Sequence, residues 1–241
     1  VAVGREAGVG YAEVARALSG RGEVVLRERD GDADGAPVLE LRVNGVFVMD
    51  SQETRTERAL ATAALDRVPA PHDVLVGGLG LGYTAQAVLA DDRVRRLVVV
   101  ELEEALVGWM RDGTVPHGPA LLADDRLQVL VADVRRAVED ARPTSYDLVL
   151  LDVDNGPDFL VHDANAELYR AAFLRAARAA LRPGGALVVW SAAASPALQA
   201  ALTDVFGAVE PVPLAVRLQA REETYWLYLA RRAATGRTSR T

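Results

Sequence analysis

Cysteine and lysine are both missing from this chain. Its 241 residues include no cysteine, which excludes disulfides, thiolate metal sites and a cysteine nucleophile. They include no lysine either, because all 27 basic residues are arginine. Schiff-base chemistry and a phosphate loop ending in lysine are therefore excluded. Histidine is scarce: His72, His117 and His162 fall in expected loops with no metal-ligand spacing, so no metal is expected. Positive charge is short as well. The formal net charge of −7 speaks against a nucleic-acid binder, whose phosphate contacts need a basic face. Arg93 to Arg96 and Arg135-Arg136 read as solvated helix faces. Long apolar runs are lacking too. The longest uncharged stretch, Pro183 to Thr203, is rich in Gly, Ala, Ser and Pro and reads as strand, loop and helix start, not as a membrane span. The opening residues lack a long apolar segment, so no secretory leader is expected and a cytoplasmic location is.

What is present is a large apolar fraction, 50% of residues, enough for a full core. The most informative stretch runs from Val74 to Glu101, VLVGGLGLGYTAQAVLADDRVRRLVVVE. A short apolar run meets Gly77, Gly78, Gly80 and Gly82, then a helical segment, then a second apolar run that stops on Glu101. This is the βαβ pattern of nucleotide-binding folds. Glycines let the backbone turn tightly and approach a ligand, and an acid at the end of the second strand accepts hydrogen bonds from ribose hydroxyls.

Along the chain, residues 1–68 read as one unit. A short helix is expected within the first 20 residues, with Val14, Ala17 and Leu18 as a weak apolar face. GEVVLRER and VLELRVNGVFVMD follow as antiparallel strands, with a DG turn between them and an Asn44-Gly45 turn within the second. TERALATAALDRV is a helix closed by Pro69 and Pro71. Residues 69–234 form the nucleoside-binding unit, in which strands and helices alternate. LQVLVAD ends on Asp133, YDLVLLDVD ends on Asp152 and Asp154, and AELYRAAFLRAARAAL is a helix stopped by LRPGG. The last two strands lack a helix between them and should pair antiparallel. The expectation is an α/β, Rossmann-like, doubly wound sheet of seven strands with a small N-terminal β-unit. Residues 235–241 are expected to be a disordered tail.

The spacing Gly78-x-Gly80-x-Gly82 differs from a dinucleotide fingerprint. Together with Glu101, Asp133 and LRPGG, it resembles the class I S-adenosylmethionine-dependent methyltransferases over most of 70–232. The whole chain resembles more closely the polyamine aminopropyltransferases, spermidine synthase and its relatives. The matching features are the N-terminal β-unit, the paired Gly77-Gly78, the Asp-rich loop from Asp152 through Gly156-Pro157, and Leu168-Tyr169 entering a helix that ends in LRPGG. The resemblance implies ribose binding by Glu101, adenine contact by Asp133 and proton abstraction from an attacking amine by Asp152. It also implies a glutamine near the nucleoside, matched by Gln52, and a polyamine-holding segment that keeps Glu57. A homodimer is implied as well. Asp154 and Asn155 stand in the shortened acidic loop, and His162 follows it as a candidate acceptor contact.

Gly80 stands where that family carries an Asp that binds the amine of the aminopropyl group. Its absence removes one reason to prefer decarboxylated S-adenosylmethionine. The primary expectation is therefore methyl or alkyl transfer from S-adenosylmethionine to a small cationic amine, with Asp152 as base and Asp154 beside it. True aminopropyl transfer from the decarboxylated donor is the first alternative, and a non-catalytic nucleoside-binding protein is the second.

Overall fold

The computed structural model describes residues 10–31, 35, 37–153, 156–157, 160, 162–218 and 221–234. The expected tail at 235–241 lies outside the described residues, as do Asp154 and Asn155.

The chain opens with four antiparallel strands in sequential order: β1 (Tyr11–Ser19), β2 (Gly22–Arg29), β3 (Val38–Val43) and β4 (Val46–Asp50). β1 corrects the expected N-terminal helix, at least from Tyr11 onward. Val14 and Leu18 are 41% and 77% exposed, so the helical spacing of apolar residues buries nothing. Pairing with β2, from Tyr11 opposite Arg29 to Ser19 opposite Gly22, satisfies the backbone instead. A register shift between Glu13 and Ala15 then turns Ala15 and Ala17 toward the core. Asn44 joins the two hairpin ends. Its backbone sits at φ 52°, its side-chain oxygen accepts from the Glu23 N–H at 2.9 Å, and its amide donates to the Arg21 carbonyl at 3.1 Å.

A helix, α1 (Arg55–Leu65), leads into the larger sheet. That sheet has seven strands: β5 (Asp73–Gly77), β6 (Arg96–Glu101), β7 (Leu127–Val131), β8 (Tyr146–Leu151), β9 (Leu181–Ser191), β10 (Val209–Leu218) and β11 (Arg221–Arg231). Their spatial order is β10-β11-β9-β8-β5-β6-β7. β5 through β9 pair in parallel, and β11 runs antiparallel to both β9 and β10. The expected α/β doubly wound architecture is thus the one observed.

Side chains alternate across this sheet with period two, so each strand feeds two cores. Val74, Val76, Leu97, Val99, Leu148 and Leu150 face one way. They pack there with α1, α2 (Tyr83–Leu89) and α3 (Glu104–Asp112) and with the N-terminal sheet. Leu75, Val98, Val100, Val149 and Leu151 face the other way, toward α5 (Val134–Glu139), α6 (Ala171–Ala180) and α7 (Pro196–Phe206).

Two segments differ from expectation. The loop after α3 contains a short helix, α4 (Gly118–Leu122), with Pro119 in its first turn, where no backbone N–H is needed. The long helix expected from Ala166 is divided. A 3-10 segment (Asp163–Tyr169) ends at Arg170, whose extended backbone (φ −89°, ψ 154°) starts α6. The break lets Leu168 bury with Tyr169, Phe173 and Leu174, whereas a continuous helix from Ala166 would turn Leu168 away from the Phe173–Leu174 side. Among the described residues, no helix is long and apolar enough to cross a membrane.

Strand order reverses between β5 and β8. The crevice at their carboxyl ends is where open α/β sheets bind ligands.

Candidate active site

At that crevice the chain leaves β5 through Gly78, whose N–H donates to the Val100 carbonyl at 2.8 Å. Gly78 has φ +93°, and a Cβ there would fall 1.9 Å from the Asp152 carbonyl oxygen. Only glycine lets the two strand ends approach so closely. Gly80 (φ +51°) is capped from the N-terminal sheet, because an added Cβ would meet the Met49 sulfur at 2.6 Å. The Leu81 N–H points at the same sulfur, 3.2 Å away. Gly82, also at positive φ, caps α2.

Glu101 ends β6 and is buried. One carboxylate oxygen accepts from the Leu79 N–H at 2.8 Å and the other from the Glu103 N–H at 2.7 Å. Burial pushes its carboxyl upward, while these backbone donors pull it back. They also fix its orientation toward the crevice. Asp133 follows β7 and caps α5, accepting from the Arg135 N–H at 2.8 Å. Its side chain remains 40% exposed, so capping leaves room for a second partner.

Asp152 follows β8 and accepts from the Thr84 hydroxyl at 2.7 Å. Desolvation by the surrounding protein raises its carboxyl above the usual range, against the Thr84 hydrogen bond. Glu57, from α1, is buried and pushed up to about 7. Its burial is the main cause and the charge of Asp152 the next. The Thr56 hydroxyl donates to it at 2.9 Å.

These groups line an inner cavity of about 990 Å³, which counts space open to solvent. Gly78, Gly80, Glu101, Asp133, Asp152, Glu57 and His162 all border it. Val24, Leu41, Val43, Val48 and Met49 of the N-terminal sheet form its opposite wall. An outer cavity shares Val48, Met49, Glu57 and Trp190 with the inner one and adds Asp50, Glu53, Glu223, Phe47 and Tyr225. Gln52 borders neither; it is exposed, and its side-chain oxygen accepts from Arg29 at 2.7 Å. The expected nucleoside contact by Gln52 is therefore not among the groups brought together here.

Sequence reasoning missed several contributors. Glu103 reads as a solvated helix-start acid, yet it is 6% exposed and borders the inner cavity. Arg21, at the β1–β2 turn, binds it at 2.7 Å and also donates to the Leu102 carbonyl at 2.8 Å. His162 Nε2 lies 3.9 Å from the same Glu103 carboxylate. His117, by contrast, bonds the Leu81 carbonyl at 2.6 Å and supports the glycine turn from behind. Met49 and Thr84 carried no local signal, because their importance depends on which element they meet.

Residues 53–206 match the spermine/spermidine synthase domain. The chain is 35% identical over 144 residues to polyamine aminopropyltransferase 2 of Pseudomonas aeruginosa, covering 58% of this chain and 39% of that protein. It is 28% identical over 179 residues to putrescine N-methyltransferase 3 of Nicotiana tabacum, covering 70% and 45% respectively. The chain thus spans less than half the length of these curated relatives. The solved structure of spermidine synthase from Thermotoga maritima has a TM-score of 0.76 at 17% identity, covering 92% of this chain and 74% of that one. At that identity the likeness speaks to the fold.

Proposed function

The chain belongs to the spermine/spermidine synthase family, and from that premise we propose that it is a transferase moving an aminopropyl group from a decarboxylated S-adenosylmethionine-type donor to an amine acceptor. The observation that carries this reading is the sign of the inner cavity. Glu57, Glu101, Glu103, Asp133 and Asp152 line it, and among its described lining residues only His162 is basic. A donor tail bearing an ammonium alone is attracted there. A tail that also bears a carboxylate meets a wall of carboxyls, beside which Arg21 is already held by Glu103, and each like-charge contact at 4 Å with an ionised member costs about 4 kcal/mol near a protein surface. This argument outweighs the one from Gly80, which by itself pointed to S-adenosylmethionine.

The donor is a substrate, consumed in each turnover; its sulfonium supplies the leaving group. Glu101 receives the ribose hydroxyls, held in place by the Leu79 and Glu103 N–H groups. Asp133 faces the adenine amino group while capping α5. Asp152 takes a proton from the attacking ammonium, and its raised pKa suits a group that must accept and later release a proton. Placement of amine and donor carbon supplies much of the remaining acceleration.

Methyl transfer from S-adenosylmethionine to a diamine is the second reading. It is favoured by Met49, which fills the space over Gly80 so that no acid stands at the turn, and by the likeness to a putrescine N-methyltransferase. Calorimetry with both donors and methylthioadenosine, followed by mass analysis of amine products, separates the two readings. The expected result is at least tenfold tighter binding of the decarboxylated donor and a product enlarged by an aminopropyl group. Preference for S-adenosylmethionine with a methylated product would overturn it. Nucleoside binding without product from any amine would favour a non-catalytic binder.

A further inference from the structure

Aminopropyl transfer would leave Asp152 protonated in a desolvated pocket, where the proton needs a path to solvent. We propose that Glu57 is the second proton-carrying acid of this site, receiving the proton from Asp152 and passing it to the outer cavity. The inference rests on the transferase reading above and extends it to a residue on another element.

The geometry has three parts. Glu57 borders both cavities, with Asp152 on the inner side and Asp50, Glu53 and Glu223 along the outer one. Thr84 sits between Asp152 and the α1 backbone: its hydroxyl donates to the Asp152 carboxylate at 2.7 Å and lies 3.5 Å from the main-chain carbonyl oxygen of Glu57, and the charge of Asp152 is felt at the Glu57 carboxyl. In the wall common to both cavities, Trp190 is 8% exposed and its indole N–H has no acceptor among the described residues. That orphan donor leaves the shared wall one hydrogen bond short.

The groups nearest Glu57 are acids and phenols, of which Asp50 is paired with Arg29 at 3.1 Å and Glu53 with Arg55 at 2.5 Å. They are Asp152 beyond β8, Asp50 of β4, Glu53 before α1, Tyr83 of α2, and Glu223 and Tyr225 of β11. Arg58, its neighbour on α1, is exposed and directed to Gln86 and the Tyr83 ring. A buried carboxyl in such company holds its proton until near neutral pH, consistent with its rise to about 7. It can therefore both take and release a proton under ordinary conditions.

The ammonium gives one proton to ionised Asp152. The neutral nitrogen forms a bond to the carbon beside sulfur, and the C–S bond breaks with its electron pair going to sulfur. The product leaves as a secondary ammonium with a neutral thioether, and the single released proton travels from Asp152 through Glu57 to solvent.

The test compares the intact chain with Glu57→Gln, using 1,4-diaminobutane as acceptor. In turnover with the decarboxylated donor, the intact protein should lose rate as pH falls through about 7. Glu57→Gln should lower the plateau about tenfold to a hundredfold and abolish that step. Glu57→Asp should restore a pH step. A retained step near 7 in Glu57→Gln overturns the proposal. Calorimetry of 1,4-diaminobutane binding with methylthioadenosine, in buffers of different ionisation enthalpy, reads the same group without turnover. Proton release at pH 7 by the intact protein and none by Glu57→Gln supports the proposal, and equal release by both overturns it. Absence of transfer with every donor strikes the aminopropyl reading alone.

Discussion

Asp152 and Glu57 show how two acids of similar chemistry acquire different tasks from their surroundings. Asp152 has the Thr84 hydroxyl at 2.7 Å and a face toward the inner cavity, while Glu57 is enclosed by α1 and the acids of the outer cavity. Replacing Asp152 with Asn keeps the shape and removes the proton acceptor. Its turnover is expected to fall about 10²- to 10⁴-fold. Methylthioadenosine affinity, measured by calorimetry, should stay within about threefold, because the nucleoside contacts proposed above lie at Glu101 and Asp133. Glu57 carries a further consequence for stability. Its folded pKa, about 7, lies above the ordinary 4.5. Both states are protonated below pH 4.5, and burial of the charge destabilises the fold as pH rises through 7. Glu57→Gln should therefore match the parent near pH 4 and exceed it at pH 8 by up to about 3 kcal/mol in urea unfolding. Equal stability of the two proteins at pH 8 would contradict the desolvation of this carboxyl.

The β1–β2 hairpin is fastened to the larger sheet, just after β6, by one contact set. Arg21 at its turn pairs with buried Glu103 at 2.7 Å and with the Leu102 carbonyl at 2.8 Å. The same sheet provides Val24, Leu41, Val43, Val48 and Met49 to the cavity wall. Arg21→Ala leaves Glu103 buried without its cation, a loss of about 1–3 kcal/mol in thermal or urea unfolding. Loosening of that wall should also weaken methylthioadenosine binding several-fold, whereas Arg16→Ala, on the exposed face of the same hairpin, should change neither. Legibility differs among these elements for a physical reason. The turn at Gly78, the acid Glu101 after an apolar run and the cap Asp133 are local patterns, readable within a few residues. Glu103 follows Glu101 by two positions, yet its burial comes from a hairpin about 80 residues earlier. The strand β1 was misread as helix because its partner, not its own spacing of Val14, Ala17 and Leu18, decides its conformation.

Across the whole molecule, one apolar core joins the N-terminal sheet to the larger one. Val24, Leu26, Leu41 and Met49 belong to the same cluster as Leu60, Ala64, Val74 and Leu97. We therefore expect residues 10–68 and 69–234 to unfold together despite their separate sheets. Far-ultraviolet dichroism should follow both sheets, while fluorescence should follow Trp109, Trp190 and Trp226, all of which lie in the second part. Coincident urea transitions are the expected outcome, and a separate early loss of dichroism would show independent units. The sequence by itself determined the alternation of strands and helices, the glycine turn, the acids at strand ends and the likeness to polyamine synthases, because these depend on local periodicity and on backbone steric limits. Only the tertiary structure decided that Met49 covers Gly80, that Glu57 stands between two cavities facing Asp152, and that Gln52 turns away to Arg29. Those facts depend on how α1 and the N-terminal sheet pack over the ends of β5 and β8. Such packing is set by long-range burial, and burial is also what gives the carboxyls of the site their proton affinities.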